Sequence, residues 1–305
     1  MPNGILLLNK PEGTRSTDCV TRVKRYFNEK AGHAGTLDST ACGLLVMLLG
    51  NATRLSDYIM LLPKVYSAVV RLGAETDTAD SSGEIVSGGN ADNINEADVD
   101  SILHNFKGEI MQTPPLISAI KVGGRAAHRI TRSIKKDANA EREFSLPARS
   151  VYVHSIIRTS PVLGGEFEIK VHCGKGTYIR SIARDIGRML GCGGHVKKLK
   201  RLSVGDFSLH NACDLEELSH ENLLPIESIG TFYNRIFLKV EAEERLLNGL
   251  SIALNEAGEY VPGEIDAKHV AVIGKTLFGF AEVRDNGEVS YLHPRVNIRR
   301  SEVNK

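Results

Sequence analysis

The sequence predicts an α+β fold: a mixed sheet flanked by helices, followed by a small β-rich unit. Three observations lead there. Segments with two-residue and 3.6-residue apolar spacing interleave irregularly, which favours a mixed sheet over a doubly wound parallel one. Near Ser228 the pattern changes to short apolar segments bounded by turn residues, Val270–Ile273 and Phe278–Val283 among them. The chain has 305 residues, 42% hydrophobic and 25% charged, which is ordinary globular composition and enough for one large and one small domain.

In chain order, Gly4–Asn9 reads as a short buried strand that ends in a turn at Lys10-Pro11-Glu12-Gly13. Ser16 or Thr17 caps a helix on which Val20, Val23 and Phe27 recur at helical spacing. A glycine-rich stretch from Gly32 to Gly43 leads into the apolar run Leu44–Leu49. Val65–Leu72 is a strand with Tyr66, Ala68 and Val70 on one face. Thr76–Gly89 is polar and reads as a loop, and Glu96–Phe106 as a helix. Leu116–Val122, Ser150–Arg158 and Glu166–Cys173 are strands, the last alternating Phe167, Ile169, Val171 and Cys173. After a turn at Gly174–Gly176, Ile179, Ile182, Ile186 and Leu190 line one side of a helix.

Several function classes are excluded by composition. The apolar run of six residues at Leu44–Leu49 is far below the roughly 20 that a membrane span needs. The opening residues carry no secretory signal, and five scattered cysteines with no CxxC spacing read as reduced thiols in a cytoplasmic protein without a zinc site. Net charge is only +1, but it is unevenly placed. Residues 75–109 carry nine carboxylates against Lys107, whereas 121–149 carry eight Lys/Arg against three acids and 180–201 seven against Asp185. Two basic segments around an acidic one suggest a positive face on a neutral body, although any single cluster is equally read as a solvated helix face.

Spacing alone does not name a reaction. The stretch around Asp38 has neither the Walker lysine nor GxGxxG spacing, and the sequence has no GxSxG elbow or HExxH cluster. Asp38 and His33 are a loop carboxylate and a loop histidine, and by spacing nothing else is placed beside them.

Taken together, six segments resemble the bacterial TruB-type tRNA pseudouridine-55 synthase family. They are Gly4-Ile5-Leu6-Leu7-Leu8-Asn9-Lys10-Pro11; Gly32-His33-Ala34-Gly35-Thr36-Leu37-Asp38; Leu49-Gly50-Asn51-Ala52-Thr53-Arg54; Tyr66 with Arg71-Leu72-Gly73 and Thr76-Asp77-Thr78-Ala79-Asp80; Ser118-Ala119-Ile120-Lys121; and Gly176-Thr177-Tyr178-Ile179-Arg180. The resemblance implies a mixed, largely antiparallel sheet of the pseudouridine-synthase type over residues 1–230, with a thumb-like insertion at about 115–148. It also implies a PUA-like RNA-binding domain over 231–305. Ile117 and His128 stand where that thumb usually carries tyrosines.

The same resemblance implies isomerisation of uridine 55 in the T-loop of tRNA. Asp38 is then the essential carboxylate, which either attacks ribose C1′ or removes a ribose proton to open a glycal route. Arg180 pairs with it, Asp80 holds that arginine, and Tyr66 stacks on the base and helps remove the C5 proton. A uridine inside a folded T-loop must be flipped out at an expense of a few kcal/mol, and His33 fills the space it leaves. Lys10, Tyr178, Leu199 and Arg54 fall at substrate-binding positions. The implied partner is the T-arm of tRNA, with no membrane, protein partner, metal or other cofactor, and the chain is expected to work as a cytoplasmic monomer.

Overall fold

The fold is seen in a computed structural model that describes residues 3–115, 121–122, 125–126, 146–264, 268–285 and 289–299. The first half supplies β1 (Gly4–Lys10), α1 (Ser16–Phe27), β2 (Ala31–His33), β3 (Ala41–Leu49), α2 (Ser56–Leu61) and β4 (Lys64–Leu72). Then come β5 (Ala74–Thr76), β6 (Ile85–Gly88), α3 (Glu96–Leu103) and β7 (Gly108–Gln112). After residue 148 come β8 (Arg149–Arg158), β9 (Glu166–Cys173), α4 (Ile179–Met189), β10 (Gly194–Val204), β11 (Phe207–Ser208) and β12 (Leu223–Leu224).

These strands form one sheet in the order β12-β1-β3-β10-β4-β9-β8-β7, with β2 added to β3 and β11 to β10. Among the described residues β3–β10 is its parallel pair, and the other pairs are antiparallel. The mixed, largely antiparallel sheet expected from the sequence is what forms. The run Leu44–Leu49 is β3, and all six side chains are inaccessible because α1 covers one face while α2 and residues of a second sheet cover the other. On β9, Phe167, Ile169, Val171 and Cys173 are buried, as their alternation predicts.

The helix α4 lies on this sheet unusually closely. A Cβ on Gly187 would fall 2.2 Å from the Gly193 carbonyl carbon, so only glycine lets the helix meet the start of β10 backbone to backbone. The stretch 76–89 is not simply a loop. β5 and β6 pair as a hairpin, with Ala74 opposite Gly88. Its two strands are short and Ile85 and Val86 stand exposed, so the sequence carries no buried-face alternation to reveal it. The strand expected over 116–122 falls mostly outside the described residues, as do Ile117 and His128. Lys121–Val122 and Arg125–Ala126 pair as a two-stranded hairpin.

The second sheet draws on β13 (Arg235–Leu238), α5 (Val240–Leu247), β14 (Ile252–Ala253), β15 (Gly258–Val261), β16 (His269–Ile273), β17 (Leu277–Asp285) and β18 (Ser290–Arg299). Its strand order is β14-β18-β17-β16-β13-β15. It does not hang free. One apolar cluster contains Leu44, Val46 and Leu48 from β3, Tyr58 and Ile59 from α2, Phe232 and Tyr233 from the connection before β13, and Phe278, Phe280 and Ile298 from the second sheet. Tyr58 stacks on Phe280 at 3.8 Å, and the Tyr233 hydroxyl donates to the Tyr58 carbonyl at 2.7 Å. No described helix is long and apolar enough to cross a membrane.

Candidate active site

The loop between β2 and β3 carries Asp38, and the first turn of α4 carries Arg180. The fold brings these together across 142 positions of sequence: Arg180 Nε lies 2.9 Å from Asp38 Oδ2. Arg180 is buried, while the Asp38 side chain keeps 41% exposure, so the carboxylate is anchored from behind and open in front. The guanidinium is itself held. Its Nη1 donates to the Thr78 carbonyl at 2.9 Å and lies 3.7 Å from Asp80 Oδ2, an electrostatic contact rather than a hydrogen bond. Asp80 is buried and accepts from the Thr78 hydroxyl at 2.8 Å, the Ser82 amide at 3.0 Å and the Ser82 hydroxyl at 2.5 Å. A buried carboxylate with that many donors stays fixed.

The start of α4 is fixed as firmly. Gln112, buried at the end of β7, donates to the Tyr178 carbonyl at 3.0 Å and accepts from the Tyr178 amide at 2.7 Å. Ser181 and Arg184 both donate to the Thr113 carbonyl, at 2.9 and 3.0 Å. At the far end of the helix, Arg188 grips Glu75 with two nitrogens, at 2.8 and 2.6 Å, which ties β5 and the Asp80 turn to the same helix.

In front of Asp38 is a cavity of about 150 Å³ walled by Leu37, Asp38, Tyr66, Tyr178, Arg180 and Leu199. Tyr66 and Leu199 reach it from β4 and β10. Burial pushes the Tyr66 hydroxyl above its ordinary pKa, so it is a neutral phenol at rest. A larger cleft of about 650 Å³ shares Tyr66 and Tyr178 and is bordered by Lys64, Arg149, Lys175 and Arg201 against Asp57. A small pocket with one anchored carboxylate and an aromatic wall, opening beside a cationic cleft, suits an anionic polymer that presents one ring.

The structure therefore brings together Asp38, Tyr66, Asp80, Tyr178, Arg180 and Leu199. Three other expected residues lie elsewhere. Lys10 is fully buried, donates to the Pro11 and Thr14 carbonyls at 2.9 and 2.6 Å, and acts on Asp38 through its charge without lining that cavity. Arg54 donates to the Asn297 carbonyl at 2.8 Å, so it joins the two sheets. His33 pairs with Met47 at the end of β2 and does not line the cavity in front of Asp38. Burial, then the charge of Arg201, lowers its pKa, which keeps the ring neutral.

Of the basic residues in 180–201, Arg180, Arg184 and Arg201 are buried, Arg188 and Lys197 are exposed and pair with Glu75 and Glu166, and Lys198 and Lys200 stand exposed. Sequence reasoning missed Gln112 and Arg201. A count of charges does not separate the buried Arg201 from the exposed Lys200 beside it. Among the described residues no group of three or more His, Cys, Asp or Glu side chains is placed to share a metal ion.

Comparison with known proteins agrees with this geometry. Residues 23–179 match the TruB family pseudouridylate synthase N-terminal domain, and residues 180–241 match the tRNA pseudouridylate synthase B C-terminal domain. The chain is 35% identical over 306 residues to tRNA pseudouridine synthase B of Vibrio campbellii, covering 94% of this chain and 93% of that one. It is 40% identical over 255 residues to the protein of the same name from Clostridium kluyveri, covering 82% and 85%. In fold it is similar to a chain of the crystal structure of a Cbf5-Nop10-Gar1 complex, with a TM-score of 0.74, 24% identity and coverage of 97% and 84%.

Proposed function

This chain belongs to the TruB family of pseudouridylate synthases, and on that premise we propose that the Asp38 cavity receives uridine 55 of the tRNA T-loop and isomerises it to pseudouridine. The chain is a tRNA pseudouridine synthase, an isomerase. The observation that carries the site assignment is the Asp38–Arg180 pair, 2.9 Å apart, in the wall shared with Tyr66 and Leu199.

Each residue has a defined task. Leu199 and Tyr66 sandwich the flipped base, which offsets part of the unstacking expense. Arg180 aims Asp38, and Asp80 and the Thr78 carbonyl keep Arg180 in place. Asp38 then attacks ribose C1′ or takes a ribose proton, and the bond to N1 breaks. The base turns, C5 bonds to C1′, and the C5 proton leaves toward Tyr66. The proton lost at C5 is matched by the one gained at N1, so the formula of the base is unchanged and no outside reactant is consumed.

The reading extends to the whole chain. Residues 1–230 are the catalytic domain, and 231–305 are a PUA-like unit that adds contacts to the tRNA. The cationic cleft takes phosphates, a shape-and-backbone recognition. The protein acts in the cytoplasm as a monomer, without metal or nucleotide. Mapping pseudouridine in RNA from a strain lacking the gene tests this. Loss of the modification at position 55 of tRNAs, restored by the wild-type gene and not by Asp38→Asn, is expected. Loss at sites in another RNA with tRNA unaltered would refute the substrate, and no change at all would refute the activity.

A further inference from the structure

Arg201 is among the largest side chains in the molecule and is only 1% exposed. Its hydrogen bonds reach oxygens that carry no formal charge. Nε donates to the Leu44 carbonyl at 2.7 Å and Nη2 donates to the Gly35 carbonyl at 2.9 Å, while the guanidinium charge acts on the Tyr66 hydroxyl from the neighbouring strand. A cation buried without a bonded carboxylate is destabilising on its own. Its position shows what it offers in return. Gly35 and Leu44 flank the segment that carries Asp38, and Tyr66 is opposite Arg201 in the antiparallel β4–β10 register. One guanidinium thus ties both ends of the Asp38 segment from the position opposite Tyr66. The approach is close throughout: a Cβ on Gly43 would fall 2.4 Å from the Arg201 carbonyl oxygen.

We propose that Arg201 is a positioning residue of the reaction, which fixes the Tyr66 hydroxyl against the Asp38 segment and sets its oxygen to receive the C5 proton. This rests on the assignment of Tyr66 as the acceptor in a uridine isomerase. In that step the C5–H electron pair re-forms the C5–C6 double bond as the proton passes to the Tyr66 oxygen. The oxygen must first give its own proton to solvent, and the guanidinium charge of its register partner favours that ionised form.

Other groups facing Tyr66 act in both directions. Asp38 from the loop and Cys173 from β9 oppose ionisation, although burial pushes the Cys173 thiol up to about 11 and keeps it neutral. Arg180 and Tyr178 share the smaller cavity with Tyr66. Lys64, Lys175 and Arg149 border the larger cleft, with Asp57 as its carboxylate. Arg201 is the cation among them that stands opposite Tyr66 in the β4–β10 register.

The test compares Arg201→Lys and Arg201→Gln, each alone and combined with Tyr66→Phe, by single-turnover tritium release from C5-labelled tRNA at saturating enzyme. In the Tyr66 background both should slow turnover by about 10- to 100-fold, within the range that proton transfer by a side chain supplies, with tRNA affinity little changed. The rising acidic limb of the rate–pH profile should move to higher pH in Arg201→Gln, because the phenol then ionises later. In the Tyr66→Phe background the same substitutions should slow turnover by less than about threefold, since coupled residues are not additive. Equal losses in both backgrounds, an unmoved pH limb, or failure of both variants to fold would make Arg201 a brace of the sheet and overturn the proposal. Absence of tritium release from the unaltered protein would instead overturn the assigned activity, so the two failures are distinguishable.

Discussion

Replacing Phe280 by alanine should destabilise the catalytic sheet, although Phe280 belongs to the second one. The ring is inaccessible, stacks on Tyr58 at 3.8 Å and 10°, and meets Tyr233 edge-on at 4.8 Å. A Phe→Ala change in a close-packed core typically loses about 3–5 kcal/mol, and each aromatic pair lost accounts for roughly 0.5–1.5 kcal/mol of it. Both partners of Phe280 also belong to the cluster with Leu44, Val46 and Leu48 of β3, so the cavity opens at the junction. For units of 150–250 residues each kcal/mol moves the midpoint by about 2–4 °C, so the fall should be on the order of 10 °C. Circular dichroism melts would report it, and one cooperative transition is expected. Tyr58 sits on α2, which borders the cationic cleft through Asp57 and Met60, so tRNA affinity should fall while single-turnover chemistry at saturation persists. A loss below about 1 kcal/mol, far under the core-truncation range, or two separate transitions with only one displaced, would show that the sheets do not share a core.

Gly187→Ala should displace α4 from β10, because the added Cβ would meet the Gly193 and Gly194 backbone at 2.2 Å and backbone cannot turn aside. Overpacking of this kind loses about 1–3 kcal/mol, and Arg180 on the same helix should lose its aim; an unchanged melt with full activity would contradict this. Lys64 gives a pH dependence. Burial lowers its pKa from 10.5 to about 8, so below pH 8 both folded and unfolded chains are protonated and the penalty for the buried ammonium is complete. Between those values the folded chain has released the proton and the unfolded chain has not, so stability rises with pH, by up to about 3 kcal/mol at 1.36 kcal/mol per unit. Urea melts from pH 7 to 10.5 should therefore show the wild type gaining on Lys64→Met, and a difference independent of pH would refute the assignment.

Much of the fold was legible because burial writes periodicity into sequence. β9 is read directly from alternation, whereas the unbroken run Leu44–Leu49 marks a buried segment that the structure shows to be β3. The hairpin at 74–88 was not legible, because its strands are short and what β5 buries is polar, Glu75 and Thr76. The site was legible in a different way. Nothing in spacing places Arg180 beside Asp38; the family resemblance pairs them, and the fold shows how, with Gln112 and Thr113 holding the start of α4. Charge counting does not resolve 180–201, because an arginine that ties carbonyls together in the interior, as Arg201 does, adds to a tally in the same way as one on the surface. Lys10 and Arg54 are legible only through the resemblance, and the fold adds their bonds to Pro11, Thr14 and Asn297.

The central claim is that Asp38, held by Arg180, carries out the isomerisation of one uridine in tRNA. It is tested most directly by single-turnover tritium release from C5-labelled tRNA transcript with the wild type and Asp38→Asn, with filter binding on the same preparations. The wild type should release the tritium of one uridine per tRNA, at position 55. Asp38→Asn should bind tRNA nearly as well and release none, because the amide neither attacks C1′ nor accepts a ribose proton. Release by Asp38→Asn within about tenfold of the wild type, a difference of only about 1.4 kcal/mol in barrier, would contradict the account.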